Sequence, residues 1–303
     1  MRPPMPVVQS FDLSAPYTVS PEDVEYARPN GEPLLARLYR PAGRGPFAAL
    51  VDLHGGAWSY FDRTVDGNFA VALAACGIVV VALDFRQGPA HRYPTPVADA
   101  LAGVRWVKRH ADTLSVRADA VGLIGGSSGG HLALVAAIRP NAPALATTPY
   151  RGQTDERIDA RTAFALALWP IADTLARYRY LLDRIANPQP ALDQFFQPER
   201  LRDAHDGFFG DESRMAEASV PRMLAAGEAE VLPPIWVAHP ELDENVTLAM
   251  SEALVAAYRA AGGAAELAVF SGVGHAFANL PTPEAKTGIA AMKAFLARQL
   301  GDG

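Results

Sequence analysis

The sequence predicts an α/β fold in which a mostly parallel, doubly wound sheet is flanked by helices. Short apolar runs of strand length alternate with helix-length segments along most of the 303 residues, an order typical of parallel sheets covered on both faces. Half of the residues are hydrophobic and a fifth are charged, which excludes a disordered, collagen-like or coiled-coil chain. A chain of this length can form a single domain of this class.

The first predicted elements are an arm and a hairpin. Residues 1–20 are expected to form an N-terminal arm, and residues 21–303 the α/β domain. Strand-like segments at 24–27 and 34–39 are separated by Asn30-Gly31, a dipeptide that favours a tight hairpin turn. We therefore expect an antiparallel hairpin that adds edge strands to the sheet.

The parallel core is predicted from continuous apolar runs, which suit strands buried on both faces. The helices between them carry apolar residues at helical spacing. The predicted strands are residues 47–53, 78–84, 120–124, 163–169, 235–238 and 265–270. The predicted helices are residues 69–76, 97–110, 128–138, 247–261 and 284–300.

One long segment interrupts this alternation, between the strands at 163–169 and 235–238. A structureless loop of that length is unusual in a compact domain, so we predict a helical cap insertion at about 174–225. It would rise from the carboxyl ends of the strands, where open α/β sheets bind ligands. Aromatic side chains are predicted to contact the substrate there, with ordinary packing as an equal alternative. The predicted substrate-binding residues of the insertion are Phe195, Phe196, Phe208 and Phe209, and Trp58, which follows the strand at 47–53, is predicted to bind substrate as well.

A Gly-Gly-Ser-Ser-Gly run at 125–129 follows a predicted strand and opens a predicted helix. In that setting G-x-S-x-G is a nucleophile elbow, a tight turn that exposes the serine hydroxyl. The same pattern also fits one residue later, with Ser128 at its centre. We favour Ser127 because it lies nearer the end of the strand. A phosphate-binding loop is the alternative, but the run lacks the lysine of G-K-[ST] and does not match G-x-G-x-x-G.

A second glycine turn, at 54–57, follows the first buried strand. Paired glycines can present backbone N–H groups to a developing oxyanion without obstruction by side chains. His54 precedes the serine, and for this reason we interpret it as a turn residue and not as the catalytic base. The alternative is a plain glycine turn without a catalytic role.

The base and the acid are expected to follow Ser127 in the sequence. His275 lies in a glycine-containing loop after the strand at 265–270, and it is the predicted base. Asp243 follows the strand at 235–238, and its predicted role is to orient the imidazole and stabilise the imidazolium. Glu241 and Glu244 fit the same order and stay open as alternatives.

Over residues 45–140 and 230–300 the chain resembles the α/β-hydrolase fold, and within it the hormone-sensitive-lipase-like esterases. The resemblance rests on His-Gly-Gly at 54–56, a D-Y-R-L-A-P-E-x-x-F-P-like run at 84–94, Gly-Gly-Ser-Ser-Gly-Gly at 125–130 and His-Ala-Phe at 275–277. It implies that Ser127 is the nucleophile. It also implies that the backbone N–H groups of Gly56, Ala57 and Ser128 form the oxyanion hole.

The chain departs from that family's pattern at three places. Ala57 replaces the third glycine of H-G-G-G, Gly126 replaces the acidic residue of G-D-S-A-G, and the run at 243–246 replaces D-P-L-R-D-E. H-G-G-x-W together with D-x-x-V is similar to kynurenine-formamidase-like and bacterial feruloyl-esterase-like hydrolases. These departures affect the expected substrate more than the expected mechanism.

We therefore expect a serine hydrolase that cleaves carboxylic esters of small acyl or aromatic substrates through an acyl-enzyme. It would need no metal and no organic cofactor. Three alternatives stay open: an arylformamidase or amide hydrolase with the same triad, an acyl transferase to an acceptor other than water, and a ligand-binding protein without catalysis.

Partners and location are inferred from charge and composition. The net charge of −6 and the lack of a Lys/Arg-rich run argue against nucleic acid. Residues 1–10 lack the apolar core of a signal peptide, and no apolar stretch approaches the roughly 20 residues of a membrane span. The single cysteine, Cys76, fits a reducing compartment, so we expect a cytoplasmic protein. The oligomeric state stays open, a homodimer included.

Overall fold

The computed structural model describes residues 11–154 and 158–301. Within them, eight strands form one sheet with the spatial order β1-β2-β4-β3-β5-β6-β7-β8. β1 and β2 pair antiparallel, β2 is antiparallel to β4, and every later pairing is parallel. The strands are β1 Val19–Ala27, β2 Leu34–Pro41, β3 Phe47–Leu53, β4 Ile78–Leu83, β5 Val116–Gly126, β6 Ala165–Leu168, β7 Ile235–Pro240 and β8 Ala265–Phe270.

Helices cover both faces of this sheet. Among the described residues they are α1 Gly67–Ala74, α2 Thr95–Arg109, α3 Ala111–Leu114, α4 Ser128–Ile138, α5 Thr174–Ala186, α6 Pro190–Phe196, α7 Pro198–Phe209, α8 Glu212–Glu217, α9 Val220–Ala225, α10 Leu248–Ala260 and α11 Pro283–Leu300. Apolar residues of α1 and α11 pack on one face, and those of α2, α4 and α10 pack on the other. None of the helices in the described ranges has the length and apolar character needed to cross a bilayer.

The predicted fold class is confirmed, and two strands have their predicted bounds. β3 and β8 have the bounds that the sequence predicts. β3 is buried along its whole length, whereas β8 is an edge strand that contains Glu266 and has only Ala265 buried. β1 begins at Val19, so the last two residues of the predicted arm belong to the sheet. Residues 1–10 of that arm lie outside the described residues. The hairpin turn is where expected, with Asn30 and Gly31 at φ values of 53° and 87°.

The topology places the carboxyl ends of five strands at one edge of the sheet. β3, β5, β6, β7 and β8 run parallel, so their carboxyl ends lie at the same edge. The segment between β6 and β7 forms α5 to α9 over 174–225, the range predicted for a helical insertion. Residues that follow these strands can therefore meet at a single site beside the inserted helices.

Candidate active site

Ser127 forms the turn between β5 and α4. Its backbone has a φ of 55° and a ψ of −119°, a region that costs a non-glycine residue about 1–3 kcal/mol. Backbone hydrogen bonds hold the turn: the Ser127 N–H donates to the Leu168 carbonyl at 2.8 Å, and the Ile171 N–H donates to the Ser127 carbonyl at 3.1 Å. Gly129 lets the helix start close to β3, because a Cβ there would lie 1.8 Å from the Leu53 carbonyl oxygen.

His275 and Asp243 complete a chain of hydrogen bonds that starts at Ser127. His275 Nδ1 lies 2.8 Å from Asp243 Oδ2 and 3.1 Å from Oδ1, while Nε2 lies 3.0 Å from Ser127 Oγ. Because the carboxylate can only accept, Nδ1 carries the proton, and a neutral imidazole then accepts at Nε2 from the Ser127 hydroxyl. The hydroxyl is thus oriented toward a group that can take its proton.

The Asp243 carboxylate is buried but remains favoured in its charged form. Burial by itself would raise its pKa, but the charge and hydrogen bond of His275 lower it. The backbone N–H groups of Asn245 and Val246 also donate to Oδ1, at 2.8 Å and 3.0 Å. The pKa of Asp243 is therefore below its usual value, and the ionised carboxylate can stabilise a protonated His275.

The residues that competed with these in the sequence lie elsewhere. Ser128 begins α4 and is buried, and its hydroxyl has no hydrogen-bond partner within the described residues. Glu241 accepts from the Gly272 N–H at 2.9 Å, and Glu244 forms an ion pair with Arg184 at 2.8 Å. The structure therefore brings Ser127, Asp243 and His275 together and leaves these alternatives outside.

The turn after β3 faces the serine. Gly55 lies so near that a Cβ on it would be 3.3 Å from Ser127 Cβ, and Gly56 has a φ of 108° that favours glycine. Over the described ranges, the backbone N–H groups of Gly56, Ala57 and Ser128 donate to no acceptor. Unpaired N–H groups beside a serine hydroxyl are the arrangement that an oxyanion needs. His54 is buried and stacks on Phe85, and its Nδ1 donates to the Gly55 carbonyl at 2.7 Å.

A cavity of about 170 Å³ opens above these groups. Ser127, His275, Gly56 and Ala57 line it, together with residues that the sequence analysis did not single out. The latter include Tyr60, Phe61, Asp66, Trp169, Ile171, Arg177, Arg200, Leu201 and Asn245. Trp169 and Ile171 lie one and three residues after β6, so their place at the carboxyl end of a strand was the signal that could have found them.

The predicted aromatic residues divide into two groups. Phe195 and Phe196 line a second cavity of about 430 Å³, which His275 and Arg200 share with the first. Phe195 is 81% exposed there, whereas Phe196 is buried. The two phenylalanines therefore lie at the mouth of the site.

The substrate-binding prediction is wrong for Trp58, Phe208 and Phe209. All three are fully buried and pack on one another, with ring centroids 4.8–5.2 Å apart. His131 joins this cluster, because the Trp58 indole N–H donates to its Nδ1 at 3.2 Å. A stacked core of rings excludes a ligand, so these residues fix the inserted helices on the sheet.

Two buried charged groups lie in the lining of the cavity that contains Ser127. Arg177 on α5 is fully buried, which lowers its pKa to about 9 despite the nearby charge of Asp243. Asp66 at the start of α1 is also buried, and burial raises its pKa. Asn279 donates to Asp66 Oδ1 at 2.7 Å. Neither Arg177 nor Asp66 belongs to a motif, so the sequence pattern carried no signal for them.

A family model described as alpha/beta hydrolase fold matches residues 50–279. The chain is 27% identical to Esterase LipQ of Mycobacterium tuberculosis over 82% of its own length and 55% of that protein. It is 28% identical to the ethyl acetate hydrolase of Pseudomonas putida over 84% of its own length and 74% of that protein. The chain thus spans about half the length of Esterase LipQ and about three quarters of the Pseudomonas protein.

Solved structures show the same fold. The propionate-bound esterase Est2 of Thermogutta terrifontis superposes with a TM-score of 0.69 at 23% identity, and the match covers 95% of both chains. At 23% identity, this match shows the fold alone.

Proposed function

The chain belongs to the alpha/beta hydrolase fold family, and on this premise we propose that it is a serine hydrolase that cleaves small carboxylic esters. The observation that carries the proposal is the unbroken chain of hydrogen bonds from the buried Asp243 through His275 to Ser127 at the cavity. The names of relatives, Esterase LipQ and ethyl acetate hydrolase, support the same reaction class.

In the acylation step, Ser127 Oγ attacks the ester carbonyl while His275 Nε2 takes the hydroxyl proton. The carbonyl oxygen becomes an oxyanion, to which the N–H groups of Gly56, Ala57 and Ser128 donate. Asp243 stabilises the imidazolium that forms. The C–O bond to the alcohol then breaks, His275 returns its proton to the leaving oxygen, and the acyl group stays on Ser127.

In the deacylation step, His275 removes a proton from water, and the water oxygen attacks the acyl carbonyl. A second oxyanion forms as a result. The bond to Ser127 Oγ breaks, the serine regains its proton from His275, and the carboxylic acid leaves. Every proton thus passes through one histidine, and the chain's own residues supply all the groups that these steps require.

The dimensions of the site favour a small acyl group. The cavity that contains Ser127 has a volume of about 170 Å³, below the roughly 300–1,000 Å³ of pockets for drug-sized ligands. The cavity at the mouth, bordered by Phe195 and Leu192, could take a longer or aromatic portion. We propose that the helices over 174–225 act as a cap, that the protein acts in the cytoplasm, and that its partner is a small ester.

A panel of p-nitrophenyl esters with rising chain length tests the reaction class, and N-formylkynurenine serves as the amide counterpart. We expect hydrolysis of the short esters, and we expect labelling of Ser127 by an organophosphate, read by peptide mass. Faster cleavage of the formamide than of any ester would assign an amide hydrolase with the same triad. No hydrolysis and no labelling would leave a binding protein.

Phe195→Ala is expected to reduce the preference for long acyl chains. The exposed ring at the mouth can cover methylene groups of a substrate, and each buried methylene contributes about 0.8 kcal/mol, a factor of about 4. We expect kcat/KM for p-nitrophenyl octanoate to fall about 4-fold or more relative to the acetate. Leu182→Ala, which removes another exposed apolar side chain from the inserted helices, is the control and should leave the ratio unchanged. An unchanged ratio in Phe195→Ala would exclude a role in chain recognition.

A further inference from the structure

Arg177 is a buried cation with an unused donor group in the wall of the catalytic cavity. Its Nε donates to the Asn245 carbonyl at 3.2 Å, and its Nη2 donates to the Asn245 side-chain oxygen. Its Nη1 is buried and has no hydrogen-bond partner within the described residues. The side chain lines the cavity that contains Ser127 and His275.

An unpaired guanidinium donor is costly in such a place. A buried polar group without a partner costs about 1–3 kcal/mol, and a charged group costs more. Buried donors in native proteins are almost always paired with protein groups or with ordered water. Nη1 is thus an unpaired charged donor on a residue of the cavity wall, and an anionic oxygen is the strongest partner for such a donor.

The other charged residues of the cavity favour an anion. Arg200 lines both the cavity that contains Ser127 and the one at the mouth. Its guanidinium carbon lies 5.1 Å from the centroid of the Tyr60 ring. Two carboxylates oppose the two arginines: Asp66, whose pKa is raised by burial, and Glu244 at the mouth, which is already paired with Arg184. Asp52 lies close to Asp66, and the pKa of Asp52 is raised by burial and by the charge of Asp66. The positive charge of Arg177 and Arg200 thus exceeds the negative charge of Asp66, whose ionisation is disfavoured.

We propose that the substrate of this site is an ester that also carries a free carboxylate, which Arg177 Nη1 binds and Arg200 attracts at the mouth. The inference rests on the proposed ester hydrolysis and names its substrate class. The carboxylate takes no part in the bonds that form or break. It orients the ester so that its carbonyl faces Ser127, and the resulting gain appears in kcat/KM.

Arg177 also has a neighbour through which it could act indirectly. Asn245 connects it to the Asp243 loop, since the Asn245 N–H donates to Asp243 Oδ1. A purely positioning role would change the rates for all esters by the same factor. Recognition of a carboxylate changes the ratio between charged and neutral esters, so that ratio is the diagnostic measurement.

Two substrate pairs measure this ratio in the wild-type protein. Monoethyl glutarate against ethyl pentanoate places the carboxylate on the acyl side, and 4-acetoxybenzoate against 4-methylphenyl acetate places it on the alcohol side. We expect the charged member to have the higher kcat/KM in at least one pair, by about 10-fold, the value of one charge-assisted hydrogen bond. Preference for the neutral member in both pairs overturns the proposal.

Variants then assign the effect to Arg177. Arg177→Met is expected to lower the charged-to-neutral ratio by about 10- to 100-fold, and Arg177→Lys to retain part of it. The control is Arg179→Met, on the same helix, because Arg179 pairs with Glu212 at the surface and lines neither cavity. It should keep the wild-type ratio. Equal losses on both esters in Arg177→Met, with the ratio unchanged, overturn the proposal as well.

The two hypotheses fail in different ways. If the proposed function is wrong, neither member of a pair is hydrolysed and Ser127 is not labelled by an organophosphate. If only the substrate inference is wrong, the neutral esters are hydrolysed and Ser127 is labelled, but the charged esters gain nothing. The wild-type measurement decides between these outcomes even if Arg177→Met does not fold.

Discussion

Ser127→Ala is expected to lower kcat for a short p-nitrophenyl ester by about 10⁴-fold or more. The change removes the only atom that could form the acyl-enzyme in the proposed mechanism, while the N–H groups of Gly56 and Ala57 remain. The small residual rate would come from substrate binding and oxyanion stabilisation. Stopped assays of purified protein at high enzyme concentration measure it, and a rate within 10-fold of wild type would disprove the assignment.

Ser128→Ala is the matched control for this prediction. The variant keeps the backbone N–H, and the lost hydroxyl is buried and has no hydrogen-bond partner within the described ranges. We expect activity within a few-fold of wild type. Thermal unfolding of both variants should lie near the wild-type midpoint, which would show that the loss in Ser127→Ala is chemical. The opposite pattern of activities would move the nucleophile to Ser128.

The parts of the site that follow strands could be predicted because position along the chain constrains them. Ser127, Asp243 and His275 each lie a few residues after a parallel strand, and carboxyl ends of parallel strands share one edge. Chain order then separated His275 from His54. What the sequence could not give was the distance between them, which depends on the packing of the whole sheet.

The inserted helices were predicted to exist, but the roles of their side chains were not predictable. Phe195 and Phe208 both belong to paired phenylalanines on helices, yet one is 81% exposed at the mouth and the other is fully buried. The difference depends on how α6 and α7 dock, and no local pattern encodes that. Arg177 shows the same limit, because an arginine on a helix is usually a solvated surface residue.

Asp243→Asn is the second change with a large expected effect, a fall in kcat of about 10⁴-fold with little change in KM. Asparagine can keep one oxygen to accept the N–H groups of Asn245 and Val246, so the loop should hold its shape. Its amide would then face His275 Nδ1 and donate to it. The imidazole proton would move to Nε2, and the histidine could no longer accept the Ser127 proton. Its charged form would also lose the buried carboxylate that stabilises it.

The control for this change is Glu241→Gln, two residues away. Glu241 Oε2 accepts from the Gly272 N–H, and glutamine keeps an acceptor oxygen there. This variant should retain wild-type kcat, so removal of a negative charge from the same loop is not by itself the cause of the loss. Unfolding midpoints near that of wild type in both variants would then locate the defect in proton transfer. A kcat for Asp243→Asn within 10-fold of wild type would instead mean that His275 is held in its productive tautomer by something other than Asp243.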